Sequence, residues 1–414
     1  MRTWNLEEKQ AEKILIIVGI GFCVALAITL NLNKGIVYKS DLLPRWYATR
    51  QLITQGRNLY DPVNGMEAFE TFAPSVLSPE DASFFYPAHL ILVMAGLALL
   101  PYRVAYIFWT FLGLFFYLLS IWLCMKTLQF PQSISQRTVV LVMAVLFIPA
   151  LQHTIWSQFN TITVLSLSLS FAALRKGKFA LAGVFATGLT FKPQGLMLTL
   201  IFLLIWSIFD RSRWKFILAF FATSVVILTL SYMVQPGWIG DFVDGIGLYM
   251  PSFDVKSVLD TIWNPYQILA GLLLLFFVGV LTHNRRASAE TPAFSAMIAL
   301  SIGIWFLVVP VTWMFHLVAL PVAGLCVLWA LQEIRHPSYN AAMYCLIVLY
   351  ALGWIGFFIG LFLTGTEGLH MKIMGLFYKV LAIMILCALA LPAVLFPGMK
   401  MVFERSVQQV TLEG

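Results

Sequence analysis

The feature that most limits this chain is its succession of long apolar runs. Ile14–Leu32 is the first. Twelve more follow, over residues 84–100, 103–125, 138–151, 161–174, 179–190, 194–209, 214–234, 262–282, 293–310, 313–332, 340–363 and 371–396. About 20 apolar residues cross a hydrocarbon core as a helix, and backbone in lipid must satisfy its own hydrogen bonds. A transmembrane β-barrel instead needs alternating segments of about 10 residues. The expected fold is an all-α polytopic membrane protein, one integral domain over residues 1–414. Composition closes the other classes, with 60% hydrophobic residues, 11% charged and a mean hydropathy of +0.87. A soluble domain carries about 25% charged residues, so a soluble enzyme, a disordered chain and a disulfide-rich module are excluded.

The net charge of +7 is spread in small clusters between apolar runs. That is a topology signal rather than a nucleic-acid face. Cys23, Cys124, Cys326, Cys345 and Cys387 all lie inside apolar runs, without metal-ligand spacing. They read as small hydrophobes. Residues 1–13 are polar and no small-residue cleavage motif follows the first run, so that run reads as a transmembrane helix rather than a signal peptide.

Basic clusters give the orientation. Arg175, Lys176 and Lys178, then Arg211, Arg213 and Lys215, then Arg285 and Arg286, Arg335, and finally Lys400 and Arg405 mark cytoplasmic loops. Residues 34–83 and 235–260 hold ten of the nineteen acidic residues and are expected outside. Parity leaves one crossing between loop 34–83 and the basic loop 126–137, yet two apolar runs lie there. The run 84–100 is expected not to cross fully, since Phe84-Phe85-Tyr86-Pro87 opens it with residues suited to an interface. Alternatively, both runs cross and the charge rule fails once downstream. The expected total is about twelve spanning helices with both termini cytoplasmic. Residues 152–160, Lys192-Pro193-Gln194 and Pro310–Trp313 then fall at outer ends. No internal repeat is visible.

Polar residues at membrane depth are functional candidates, and here they gather at the outer helix ends. Asp41 precedes a stretch, 42–56, whose apolar spacing predicts an amphipathic surface helix. It reads either as the N-cap of that helix or as a catalytic carboxylate. Lys192 leads a proline break inside an apolar stretch and reads as a snorkelling lysine or a phosphate partner. His316 follows Trp313 by one turn and reads as a packed core histidine or a ligand contact. Trp156-Ser157-Gln158-Phe159-Asn160 joins an aromatic to two amides able to bond sugar hydroxyls or phosphate. Its plainer reading is an aromatic belt with capping amides. Asp241, Asp244, Asp254 and Asp260 read as solvated, His89 and His153 as interfacial, and Lys372 and Lys379 as facing headgroups. No zinc-protease motif, P-loop or dinucleotide fingerprint occurs, so no metal or nucleotide cofactor is expected.

These segments, taken in order, carry a resemblance. Asp41 is followed by Gly56-Arg57-Asn58-Leu59-Tyr60-Asp61-Pro62, then Phe85-Tyr86-Pro87, then Trp156–Asn160. Ala182-Gly183 leads to Phe191-Lys192-Pro193-Gln194, and Val311-Thr312-Trp313-Met314-Phe315-His316 comes last. The set resembles the GT-C superfamily of integral membrane glycosyltransferases over roughly residues 14–330. It is most similar to glycosyltransferase family 87 (DUF2029), which includes polyprenol-phosphate-mannose-dependent mannosyltransferases. Three positions depart from the family's habit: Ala88 where a second proline is common, Ser157 where glycine is common, and Phe315 where a first histidine is frequent.

The resemblance implies an inverting transfer of a sugar, mannose by default, from a polyprenyl-phosphate donor to a glycolipid or glycan acceptor at the outer face of the cell membrane. It implies Asp41 as general base and Lys192 and His316 on the donor phosphate. Gln158, Asn160 and Trp156 would lie by the sugar or phosphate, with Arg45, Tyr86 and Trp313 as further donor or acceptor contacts. The chemistry agrees. A positioned carboxylate takes the acceptor's proton, worth roughly 10²–10⁴-fold. Lys192 and a protonated His316 stabilise the leaving phosphate. Inversion needs no second carboxylate nucleophile. A transporter or flippase of lipid-linked sugars is the alternative; it would ordinarily show repeated halves and polar groups near the midplane. A polysaccharide polymerase or ligase would share the donor type, but it is disfavoured by the near-balance of charge in loop 34–83.

Overall fold

In a computed structural model the apolar runs form helices, and no strand occurs among the described residues, which are 6–73, 84–252, 266–309, 313–364 and 383–395. The chain begins with α1 (Leu6–Leu32), α2 (Lys34–Tyr38), α3 (Leu42–Gln55) and α4 (Pro62–Phe72). A 3₁₀ turn, Ala88–Leu90, leads into α5 (Ile91–Ala98), which is followed by α6 (Tyr102–Leu128), α7 (Ile134–Val145), α8 (Ile148–Ile155), α9 (Asn160–Arg175) and α10 (Phe179–Ala186). After a second 3₁₀ turn, Thr187–Phe191, come α11 (Pro193–Ile208), α12 (Trp214–Val234), α13 (Trp238–Ser252), α14 (Tyr266–Asn284) and α15 (Pro292–Val308). The turn Met314–Ala319 precedes α16 (Leu320–Glu333), α17 (Tyr339–Thr364) and α18 (Ile383–Leu395).

Six of the described helices are long and apolar enough to cross a membrane. Helices α7 and α8 are bent by 53° and pass the same test only as a pair. Five apolar segments are shorter. This is a membrane-embedded all-α protein. Side chains such as Ile17, Leu218 and Leu275 stand largely exposed along α1, α12 and α14, as lipid-facing residues do.

Contacts between helix ends show which way each segment runs. Lys126, at the end of α6, pairs with Glu12 near the start of α1 at 2.5 Å. At the other end of α6, Tyr102 donates to the Val37 carbonyl at 2.7 Å and Arg103 to the Asn31 carbonyl at 2.7 Å. Helix α6 therefore runs antiparallel to α1. The segment before it stays at the Asp41 end, because Trp46 donates to the Leu97 carbonyl and Arg50 to that of Ala98, both at 3.0 Å. Residues 84–100 thus enter and leave at one end of the bundle.

The Asp41 end has an apolar cluster of its own, separate from the main core. Leu42, Leu43, Trp46, Phe69, Tyr102, Tyr106, Trp109 and Phe159 are buried there. Local sequence shapes it. Gly56 ends α3 at φ 68°, a left-handed conformation that glycine adopts without strain. Asp61 caps α4, accepting from Val63 N–H at 2.9 Å, with Pro62 at the first helical position, where its missing N–H costs nothing. Residues 235–241 pack on this region. Gln235 accepts from Leu59 N–H at 3.2 Å, and Asn58 donates to Asp241 at 2.9 Å. Asp241 is therefore bonded rather than simply solvated. Asp254, Asp260, Lys372, Lys379, Lys400, Arg405 and Pro310-Val311-Thr312 lie outside the described residues.

Candidate active site

Asp41 precedes the first turn of α3, as the sequence predicts, but its side chain makes no capping bond. Its backbone N–H donates to the Trp156 carbonyl at 3.2 Å. Its carboxylate instead accepts from Gln158 Nε2, 117 residues away. The cap reading of the carboxylate is set aside: the helix does not use it, and a distant loop does.

Gln158 sits in the break between α8 and α9, where the chain turns sharply. Ser157 has φ 50°, a conformation costly for any residue with a Cβ. A glycine would adopt it without strain. The turn is held by Trp109, whose indole donates to the Ser157 carbonyl at 3.0 Å, and by Gln158 N–H on the His153 carbonyl at 3.1 Å. Phe159 packs between Trp109 and Tyr86, with ring centroids 4.8 and 5.2 Å away.

Lys192 occupies the second break. It has extended backbone, φ −142° and ψ 90°, between the turn Thr187–Phe191 and Pro193 at the start of α11. Glycines let this region close. A Cβ on Gly188 would collide with the Ser166 hydroxyl, and one on Gly183 with the Phe216 carbonyl. The Lys192 side chain is 4% exposed. Its ammonium donates to Gln158 Oε1 at 2.6 Å and to the Tyr86 hydroxyl at 3.1 Å. It also lies 5.1 Å from the ring centres of both Tyr86 and Phe315, a cation–π arrangement. No carboxylate pairs with it among the described residues. A buried, hydrogen-bonded ammonium without an anion is unstable relative to one with an anion.

Tyr86 is central to this arrangement. Its hydroxyl reaches Gln158 Oε1 at 3.3 Å, and the Arg45 guanidinium lies 5.7 Å from its ring centre. Its carbonyl accepts from the Tyr60 hydroxyl at 2.8 Å. The structure therefore joins Asp41, Gln158, Lys192, Tyr86 and Arg45 directly.

The remaining candidates sit one step away. Asn160 donates to the Phe315 carbonyl at 3.0 Å, which anchors the turn that carries His316. His316 Nδ1 accepts the Trp313 backbone N–H at 3.1 Å. With Nδ1 accepting, a proton on this ring sits at Nε2. The Phe315 ring, rather than the His316 ring, is the one over Lys192. Trp313 stacks on Phe315 at 6.2 Å and 12°. Trp156 is 38% exposed and enters the site through its carbonyl.

Sequence reasoning undervalued two histidines. His89 and His153 are buried rather than interfacial. His89 packs edge-on against Phe191 at 4.6 Å and faces the Thr190 hydroxyl at 3.4 Å. Both neighbour the Lys192 break, and their place inside short helices at the Asp41 end was the available signal. Among the described residues, no three His, Cys, Asp or Glu side chains gather as a metal site would require.

A carboxylate and a cation held at the two ends of one amide, in a lipid-embedded bundle, suit proton removal near a departing anion. The model of glycosyltransferase family 87 matches residues 84–355, about two thirds of the chain. That range contains Tyr86, Gln158, Lys192 and His316, and begins after Asp41. No curated protein and no solved structure is matched. With the match covering so much of an all-α membrane bundle, this chain belongs to glycosyltransferase family 87.

Proposed function

We propose that this glycosyltransferase moves a sugar, mannose by its family resemblance, from a polyprenyl phosphate to a glycolipid or glycan acceptor at the outer face of the cell membrane. The observation that carries the reading is the buried Lys192 ammonium, which among the described residues has no carboxylate in contact and stands one amide away from Asp41. An anionic phosphate supplies the missing charge.

Asp41 takes the proton from the acceptor hydroxyl as its oxygen attacks the anomeric carbon. The bond between that carbon and the phosphate oxygen breaks, with inversion, and polyprenyl phosphate leaves. Lys192 and His316 Nε2–H stabilise the charge gained by the phosphate in a water-poor setting. Arg45 adds positive potential from beyond the Tyr86 ring, and Asn160 holds the His316 turn. Twelve passes, with the Asp41 end outside and the basic loops inside, complete the topology.

The test is transfer by purified protein in nanodiscs, with polyprenyl-phosphate mannose, host lipid extract and EDTA, read by mass spectrometry of the lipids. A new glycolipid or glycan made from this donor supports the reading. Transfer from nucleotide sugars only, or neither transfer nor donor hydrolysis, overturns it.

A further inference from the structure

Gln158 is 1% exposed, and its amide stands between two opposite charges. Nε2 donates to Asp41. Oε1 accepts from Lys192 at 2.6 Å and from Tyr86 at 3.3 Å, which uses both carbonyl lone pairs. Asp41 and Lys192 form no ion pair. The backbone of Gln158 is fixed by the His153 carbonyl and by the turn at Ser157, so the amide is aimed by its surroundings.

We infer that Gln158 is a positioning residue that keeps Asp41 and Lys192 from closing on each other. The inference rests on the reading of Asp41 as base and Lys192 as phosphate partner. A carboxylate in contact with an ammonium is a weaker base, because the charged form is held by its partner. An ammonium in that contact is also less available to phosphate. A neutral amide satisfies each group with the matching half of its own dipole and leaves both charges in reach of substrate. Charged and titratable neighbours are few. Arg45 and Tyr86 face the pair from α3 and the 84–87 segment. Tyr102 bonds Ser40 beside Asp41 at 2.8 Å. His153 underlies the 157–158 turn, His316 follows Phe315, and Lys39 is exposed two residues before Asp41. None of these stands between carboxylate and ammonium as the amide does.

Gln158→Met keeps the length and removes all three amide bonds; Gln158→Asn, which keeps the amide and shortens the reach, serves if the first does not fold. Two measurements on full-length protein in nanodiscs test the inference. The first is infrared titration of the Asp41 carboxyl, assigned by subtracting Asp41→Asn, and it needs no donor. In Gln158→Met the midpoint is expected to fall by about one pH unit as the ion pair closes, and adding Lys192→Met should raise it again, past wild type, because the amide bond to the carboxylate is also gone. An unchanged midpoint overturns the inference. The second is turnover of polyprenyl-phosphate sugars against pH. A roughly 100-fold loss in kcat is expected, alike for different donor sugars, with the acid limb moved to lower pH. A loss confined to KM that varies with the donor sugar would instead make Gln158 a sugar contact. Should wild type transfer nothing, the proposed function fails, while the infrared midpoint still decides whether Gln158 separates the pair.

Discussion

Two buried cations at opposite ends of the bundle are handled in opposite ways. Arg213, 6% exposed, is matched entirely by its own chain. It donates to the carbonyls of Trp206, Arg285, Arg286 and Ala287 at 3.1–3.4 Å, stands 3.5 Å from Asp210, and lies 3.9 Å from the Trp206 ring centre. Asp210 is itself committed, because the Ser212 hydroxyl and N–H hold its carboxyl below the ordinary value. Lys192 touches an amide, a phenol and two ring faces, and among the described residues no carboxylate is in contact with it, Asp41 standing beyond the Gln158 amide. Burial alone does not separate structure from function. The cation whose charge the fold has answered ties helix ends together, and the one left unanswered points to a ligand.

That contrast can be broken by substitution. Lys192→Met should cut turnover by about 10²–10³-fold and weaken donor binding. It should leave the melting temperature unchanged or higher, since it removes an unmatched buried charge. A large fall in melting with turnover retained would make Lys192 a structural group like Arg213. Arg213→Ala should do the reverse. Losing charged hydrogen bonds to carbonyls costs about 2–3 kcal/mol, seen as lower thermal stability in detergent, with activity per folded molecule preserved. Gly188→Ala should destabilise by about 1–3 kcal/mol through overpacking against Ser166 and should lower activity as well, because the turn it sits in carries Lys192. The smallest effect is expected for Ser157→Gly. It relieves the left-handed backbone by about 1 kcal/mol and should raise thermal stability slightly with turnover intact; a clear loss of stability would mean the Ser157 hydroxyl, 3.4 Å from Thr110, matters more than the strain.

Much of the fold was legible because apolar runs and breakers act locally. Runs 103–125, 214–234 and 340–363 appear as helices Tyr102–Leu128, Trp214–Val234 and Tyr339–Thr364. The Lys192-Pro193 break and the helix after Asp41 also appear where expected. Other features depend on tertiary contact. Nothing near Asp41 in sequence shows that its carboxylate leaves the helix cap for Gln158, or that the Phe315 ring sits over Lys192. Tyr86 looked like an interfacial aromatic; its central position needs the 84–98 segment folded back beside α3. The backbone bond from Trp313 N–H to His316 Nδ1 forms only in the folded turn, and spacing does not reveal it.

The most direct measurement of the central claim is turnover of Asp41→Asn beside wild type, with binding of polyprenyl phosphate measured on the same samples. The substitution keeps the shape and removes the base, so turnover should fall by about 10²–10⁴-fold while binding stays near wild type. Equal turnover in the two proteins would contradict the account.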